Sequence, residues 1–218
     1  MKISKQKGYD LSPLTIRRGE EFDYPTCIAL YHKAFPSNER HPDEVILQRI
    51  KSGTSMLYVA ETKDQFVGFA LLHDLTVVPF VLLDYLAVEE DLRGKGYGSE
   101  LLHFVRTKCW QQDAFLLVEA ENPDFGGNQI DRIRRIHFYQ RNGGCLIPKI
   151  NYLLPPLDNT LPTEMKLIVF SQKNCLELSK DQLTKLLGAL YEQLYKRGDE
   201  DVFFRLILQS INEFYDTN

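Results

Sequence analysis

Leu92-Arg93-Gly94-Lys95-Gly96-Tyr97-Gly98-Ser99 is the stretch that decides how this 218-residue sequence folds. It follows a nearly continuous apolar run, Phe80-Val-Leu-Leu-Asp-Tyr-Leu-Ala-Val88, and precedes a stripe at Leu101, Leu102, Val105 and Cys109. An unbroken apolar run suits a strand covered on both faces, and the stripe marks one face of a helix. The glycines therefore make a strand-to-helix turn. Their freedom lets the backbone bend tightly, and the first N–H groups of the helix point outward with the positive end of its dipole. That geometry suits a pyrophosphate, and Arg93 and Lys95 add charge.

Two nucleotide motifs are weighed against this turn. A P-loop needs Gly-Lys-Ser/Thr opening the helix, and here Gly94-Lys95 is followed by Gly96. A dinucleotide fingerprint needs Gly-x-Gly-x-x-Gly, and its third place is Ser99. Glu119 does lie where a ribose-binding acid is expected, about 20 residues on. The fingerprint, however, belongs to the first strand of its unit, and this strand is preceded by five other elements.

Those elements read as β-α-α-β-β. Leu14-Thr-Ile is a short strand, Tyr24 to Phe35 has helical spacing stopped by Pro36, and a second helix opens at Pro42-Asp43. Ser55 to Glu61 and Gln65 to Leu72 form a hairpin across Thr62-Lys63-Asp64. Beyond the glycine turn come a strand over Ala114 to Ala120, a helix marked by Ile130, Ile133, Ile136 and Tyr139, and strands at Cys145 to Leu153 and Glu164 to Phe170. The helix ends at Asn142-Gly143-Gly144, where glycine accepts the left-handed conformation. Two amphipathic helices close the chain, striped by Leu183, Leu186, Leu187, Leu190 and Leu194, then by Phe203, Leu206, Ile207, Ile211 and Phe214.

The pattern Arg/Gln-x-x-Gly-x-Gly/Ala is matched by Arg93-Gly94-Lys95-Gly96-Tyr97-Gly98, and here the sequence resembles the GCN5-related N-acetyltransferase (GNAT) family. The flanks strengthen the likeness: Leu83-Asp-Tyr-Leu-Ala-Val88 is similar to the family's central strand, and Glu89-Glu90-Asp91-Leu92 to its acidic turn. His137-Phe138-Tyr139-Gln140-Arg141-Asn142-Gly143-Gly144 resembles the Phe-Tyr-x-x-x-Gly-Phe signature of a later helix. The resemblance covers residues 12 to 171 and includes the element order. It implies an α/β acyl-CoA N-acyltransferase fold, a mixed and mostly antiparallel sheet flanked by helices. Residues 1–171 would form that domain and 172–218 a helical extension packed on it.

The resemblance also implies a chemistry: acetyl-CoA as co-substrate, no metal, and direct attack by a primary amine of a small molecule or protein within a ternary complex. Leu86, Ala87 and Val88 would hold the pantetheine arm, while Arg93, Gly94, Lys95, Gly96, Tyr97, Gly98 and Ser99 would bind the pyrophosphate. An N–H of Leu86 or Ala87 would polarise the thioester carbonyl. Tyr139 aligns with the family's general acid, and a phenol near pKa 10 suits a sulfur leaving group. Asp84 and Glu119 are both candidates for the base. Asp84 interrupts an apolar strand, where a carboxylate is costly without a partner, on the face that alternation gives to Leu82 and Leu86; a structural pairing with a local Arg is as good a reading. Phe35-Pro-Ser-Asn-Glu39-Arg40 lies where the family forms its acceptor site, so Glu39 and Arg40 are candidates for substrate contact. Arg132 and Arg135 depart from the family's Asn and Ala, and an arginine there could reach a coenzyme phosphate. A non-catalytic acyl-CoA-binding module, with the terminal helices as a dimer or partner face, is the reading from another class.

Composition bounds these expectations. The chain is 44% apolar and 26% charged, which suits a globular protein. Its net charge of −4 gives no footprint for nucleic acid, yet Arg132, Arg134, Arg135, Arg141 and Lys149 stand close together against one acid, Asp131. No apolar run reaches the roughly 18 to 20 residues of a membrane helix, and Met1-Lys-Ile-Ser-Lys-Gln-Lys has no apolar core of the secretory kind. A cytoplasmic protein is expected, without membrane or nucleic acid partners and with a homodimer as an option. Cys27, Cys109, Cys145 and Cys175 have no metal-ligand spacing and read as reduced packing residues; His32, His41, His73, His103 and His137 read as surface or packing residues.

Overall fold

The structure is a computed structural model that describes residues 13–148, 150–157, 161–172 and 175–216. Strand β1 (Thr15–Arg18) leads into α1 (Tyr24–Ala34) and α2 (Asp43–Ser52), followed by β2 (Ser55–Glu61), β3 (Phe66–Leu75) and β4 (Phe80–Val88). Next come α3 (Tyr97–Trp110), β5 (Phe115–Glu121), α4 (Gln129–Arg141), β6 (Cys145–Leu146), β7 (Tyr152–Leu154) and β8 (Thr163–Phe170). Helix α5 (Lys180–Ala189) runs on through a π-turn at Leu190–Leu194, and α6 (Val202–Asp216) ends the described chain. Ser179 starts α5 by accepting from the Gln182 N–H while the Gln182 side chain accepts from the Ser179 N–H, a reciprocal cap that satisfies two otherwise orphaned donors.

The strands form one sheet in the order β1-β2-β3-β4-β5-β8-β6, with β7 also on β8. Every pair is antiparallel except β4 with β5, which is parallel. That pairing stops early: Leu83 opposite Val118 is its last register position, although β4 runs to Val88 and β5 to Glu121. Beyond it the two strands part. The cause is local, because β3 pairs Leu72 with Leu83 and Leu71 with Tyr85, which leaves Asp84 as the extra residue of a bulge. A bulge bends its strand and shifts the side-chain alternation by one. Asp84 and Leu86 therefore do not share a face as simple alternation suggests. Leu86 packs with the cluster under α3 and α4, while Tyr85 and Ala87 pack under α1 and α2. Further along, Gly68 permits the close approach of β3 to the end of β4, since a methyl group on it would overlap the Ala87 carbonyl oxygen.

Both terminal stripes are buried on the sheet. Leu183, Leu186, Leu187, Leu190, Leu194, Ile207 and Ile211 share one core cluster with Leu82, Leu117, Leu167 and Val169. The apolar faces that could have served a partner are thus covered by the protein's own sheet, although Val202 and Leu206 stay exposed.

Two expectations need correction. The strand read at Cys145 to Leu153 is two short strands, both on β8. Ile147 still donates to the Leu167 carbonyl at 2.8 Å, but Pro148 has no N–H to continue the ladder, and β7 begins at Tyr152. Lys149, counted in the basic cluster, lies outside the described residues. The second concerns the thiols: Cys145 and Cys175 form a disulfide with Cα atoms 5.5 Å apart, while Cys27 and Cys109 are free and buried. Their separation of 30 residues gave no spacing signal. Opening this loop by reduction is expected to cost roughly 3 to 4 kcal/mol on the chain-entropy relation, read as a lower Tm in reducing buffer than in its absence. An unchanged Tm, with four alkylatable thiols in both buffers after unfolding, would show that the bond does not form.

Candidate active site

The glycine turn is built as its spacing requires. Gly94 and Gly96 have φ of +76° and +93°, conformations that favour glycine, and a Cβ on either would meet nothing within 4 Å. Gly96 caps α3 without a side-chain cap, and the Ser99 N–H turns back to the Gly96 carbonyl at 2.9 Å, which leaves the Tyr97 and Gly98 end of the turn at the positive end of the helix. The Arg93 guanidinium donates from Nε to the Val88 carbonyl at 3.1 Å, which ties the turn to the end of β4. An anionic diphosphate fits this cradle.

From the turn, one cleft of about 670 Å³ runs along the gap between β4 and β5. Leu86, Ala87, Val88, Arg93, Gly94, Gly96, Tyr97, Gly98 and Ser99 all line it, as do Asp84, Glu119, Tyr139 and Glu39. Lys95 and Arg40 are not on its wall; Arg40 stands over the Tyr31 ring, 5.8 Å from its centroid. Arg132 and Arg135 are committed elsewhere, because they clamp Glu121 at 2.6 and 2.9 Å. That pairing fastens α4 to the end of β5 and puts the Arg132 and Arg135 guanidinium groups on a carboxylate. Among the arginines of α4, Arg134, Arg135 and Arg141 line the cleft.

Asp84 and Glu119 follow the last paired positions, Leu83 and Val118, and so stand on either side of the opening. Burial pushes the Glu119 carboxyl up to about 7, against the hydrogen bonds that Tyr152 and Tyr195 donate to it. The Tyr195 hydroxyl lies 2.6 Å from Oε2, and the Tyr152 hydroxyl serves Oε1. Burial likewise lifts Asp84 to about 6, opposed by the Arg49 guanidinium. That partner stands 3.4 Å from Asp84 Oδ2 and makes no hydrogen bond with it. The Arg pairing is present and loose. Tyr139, on α4, is buried, and its phenol is pushed up to about 12 by desolvation. It stays protonated at neutral pH.

The α1–α2 loop is fixed from below by a residue to which the sequence assigned no role. The Tyr85 hydroxyl donates to the Glu39 carbonyl at 2.9 Å and accepts from the His41 N–H at 3.3 Å. Its ring packs edge-on against Tyr31 and Phe35, with centroids 4.7 and 4.8 Å away. The Glu39 carboxyl is raised to about 7 by burial and by the facing Glu121. His41 is pushed down to about 3 by burial and by Arg49, so it sits in the cleft wall as a neutral ring. Tyr85, Tyr152 and Tyr195 were not found from sequence. Tyr195 ends the leucine stripe of α5 and Tyr152 falls within an apolar strand, so each looked like ordinary core.

Residues 53–143 match the family model described as an acetyltransferase (GNAT) domain. YjbC of Bacillus subtilis (strain 168), assigned as an acetyltransferase, is 25% identical over 166 residues, which cover 76% of this chain and 79% of that one. Among solved structures, a protein of Bacteroides thetaiotaomicron assigned to the GNAT acetyltransferases superposes with a TM-score of 0.66 at 22% identity, covering 83% of this chain and 97% of the other. A Bacillus subtilis acetyltransferase in complex with CoA superposes with a TM-score of 0.55 at 20% identity, over 73% and 99% of the two chains. With the bulged central strand, the parted β4–β5 pair and the glycine cradle already in place, the chain has the GNAT fold, and its residues 53–143 match a GNAT acetyltransferase domain.

Proposed function

We propose that the protein transfers the acetyl group of acetyl-CoA to a primary amine of a small molecule or protein, by direct attack in a ternary complex. One observation supports this most: the gap between β4 and β5 opens a single cleft onto the glycine cradle, Glu119 and Tyr139. The cradle N–H groups and Arg93 would hold the diphosphate, and the unpaired edge of β4 from Leu86 to Val88 the pantetheine amides. Glu119 takes the proton of the attacking amine as the N–C bond forms, and Tyr139 gives its proton to sulfur as the C–S bond breaks. Of the two buried carboxyls, Glu119 is the better base, because Asp84 already faces a guanidinium. A protonatable base and an acid on one cleft favour an enzyme over a non-catalytic acyl-CoA-binding module.

No helix among the described residues is long and apolar enough to cross a membrane. The proposal sets the reaction in the cytoplasm, where glutathione and thioredoxin would act against the Cys145–Cys175 bond. Acetyl-CoA at 100 times its dissociation constant is expected to add about 2.7 kcal/mol of stability, read as a rise in Tm. A rise with a nicotinamide dinucleotide and none with acetyl-CoA would overturn the proposal.

A further inference from the structure

The C-terminal helical pair lies outside the matched family region, yet it reaches the reacting end of the cleft. Tyr195 follows the π-turn that ends α5; such turns recur at functional sites because they re-aim the residues after them. Here the segment is pinned on three sides. Gln193 accepts from the Thr76 N–H at 3.0 Å, the Tyr191 hydroxyl donates to the Leu153 carbonyl, and Arg197 donates to the Pro156 carbonyl at 3.2 Å. The Tyr195 ring faces that of His41, with centroids 6.0 Å apart and planes 20° from parallel, and lines the cleft. Its hydroxyl bonds one oxygen of Glu119 while Tyr152 bonds the other.

We propose that the C-terminal helical pair is part of the acceptor site, with Tyr195 as the positioning residue that fixes Glu119 and walls the acceptor end of the cleft. This rests on the acetyl-transfer reading above. Two phenols, one from the sheet and one from the extension, hold the Glu119 carboxylate in one plane, and each oxygen keeps a further lone pair for the incoming amine. The other ionisable groups around Glu119 are Asp84 across the gap and Tyr191 behind. Neither donates to it. Tyr195 therefore belongs to the machinery that sets when Glu119 accepts a proton, and the extension is not a detachable appendage.

The test uses Tyr195→Phe, which keeps the ring and removes one donor. The infrared band of the protonated Glu119 carboxyl, identified by its loss in Glu119→Gln, is followed against pH in the full chain without ligand. Loss of a hydrogen bond to the carboxylate is expected to raise its midpoint by roughly one pH unit, a tenfold change in proton affinity. The acid limb of thiol release from acetyl-CoA, with water and then simple primary amines as acceptors, should move by the same amount and recover at high pH. A midpoint that stays put overturns the role of Tyr195, and so does a shifted midpoint with an unmoved acid limb. Absence of thiol release from the unaltered protein would contradict the acetyl-transfer reading instead, with the infrared shift still reporting the contact.

Discussion

Tyr139→Phe is expected to lower acetyl transfer by a factor on the order of 10² to 10⁴, the usual worth of a positioned general acid, while acetyl-CoA still binds. The phenol lies on the cleft wall, and desolvation pushes it up to about 12. It therefore remains a proton donor throughout the range in which a thiolate near 8.5 would otherwise leave unprotonated. Phenylalanine keeps the packing against Phe138 and Phe170, whose ring centroids lie 5.2 and 6.3 Å away, so the fold should not change. The measurement is kcat for thiol release beside a thermal shift with acetyl-CoA. A lost shift would move Tyr139 to a binding role, and an unchanged kcat would remove it from the chemistry.

Glu119→Gln should lower the rate on a similar scale, about 10² to 10⁴, and at the same time stabilise the protein above neutral pH. The carboxyl titrates near 4.3 in an unfolded chain and is held up to about 7 by burial when folded. Between those values the folded state binds the extra proton, so stability falls as pH rises through the window and levels off above it. A shift of this size corresponds to on the order of 3 kcal/mol at pH 8. Below about pH 4 the residue is protonated in both states and the penalty vanishes. Glu39 and Asp84, raised to about 7 and about 6 mainly by burial, contribute in the same sense. Urea unfolding at pH 4, 6 and 8 should thus show a smaller fall for Glu119→Gln than for the unaltered chain. An equal fall in both would mean that Glu119 is not the buried titrating group.

How much of this was legible in the sequence depends on whether a feature is periodic or fixed by distant contacts. The glycine turn announced itself, because Gly94 and Gly96 adopt positive φ and no side chain was needed to read them. The run Phe80 to Val88 was placed residue for residue as β4, since burial on both faces leaves an unbroken apolar string. The bulge at Asp84 was not legible: it depends on how β3 pairs with β4 at Leu71 and Leu72, and it reversed the expected face of Leu86. Asp84 and Glu119 were read as candidates for one cleft between neighbouring strands, but only through the family resemblance. That they flank the opening follows from a parallel register ending at Leu83 and Val118, which no local pattern encodes. Tyr152 and Tyr195 stand 33 and 76 residues from the carboxylate they bond, so only the folded chain joins them. For the same reason Arg132 and Arg135 read as free cations in sequence and appear as the clamp on Glu121 in the fold.

Thiol release from acetyl-CoA with a panel of primary amines, run on the unaltered protein and on Tyr139→Phe, tests the proposed acetyl transfer most directly. At least one amine should accelerate release with one acetylated amine formed per thiol, initial rates should intersect as a ternary complex requires, and Tyr139→Phe should suppress the acceleration. Bound acetyl-CoA that no amine discharges faster than water does, in either protein, would contradict it and leave a binding module in place of an enzyme.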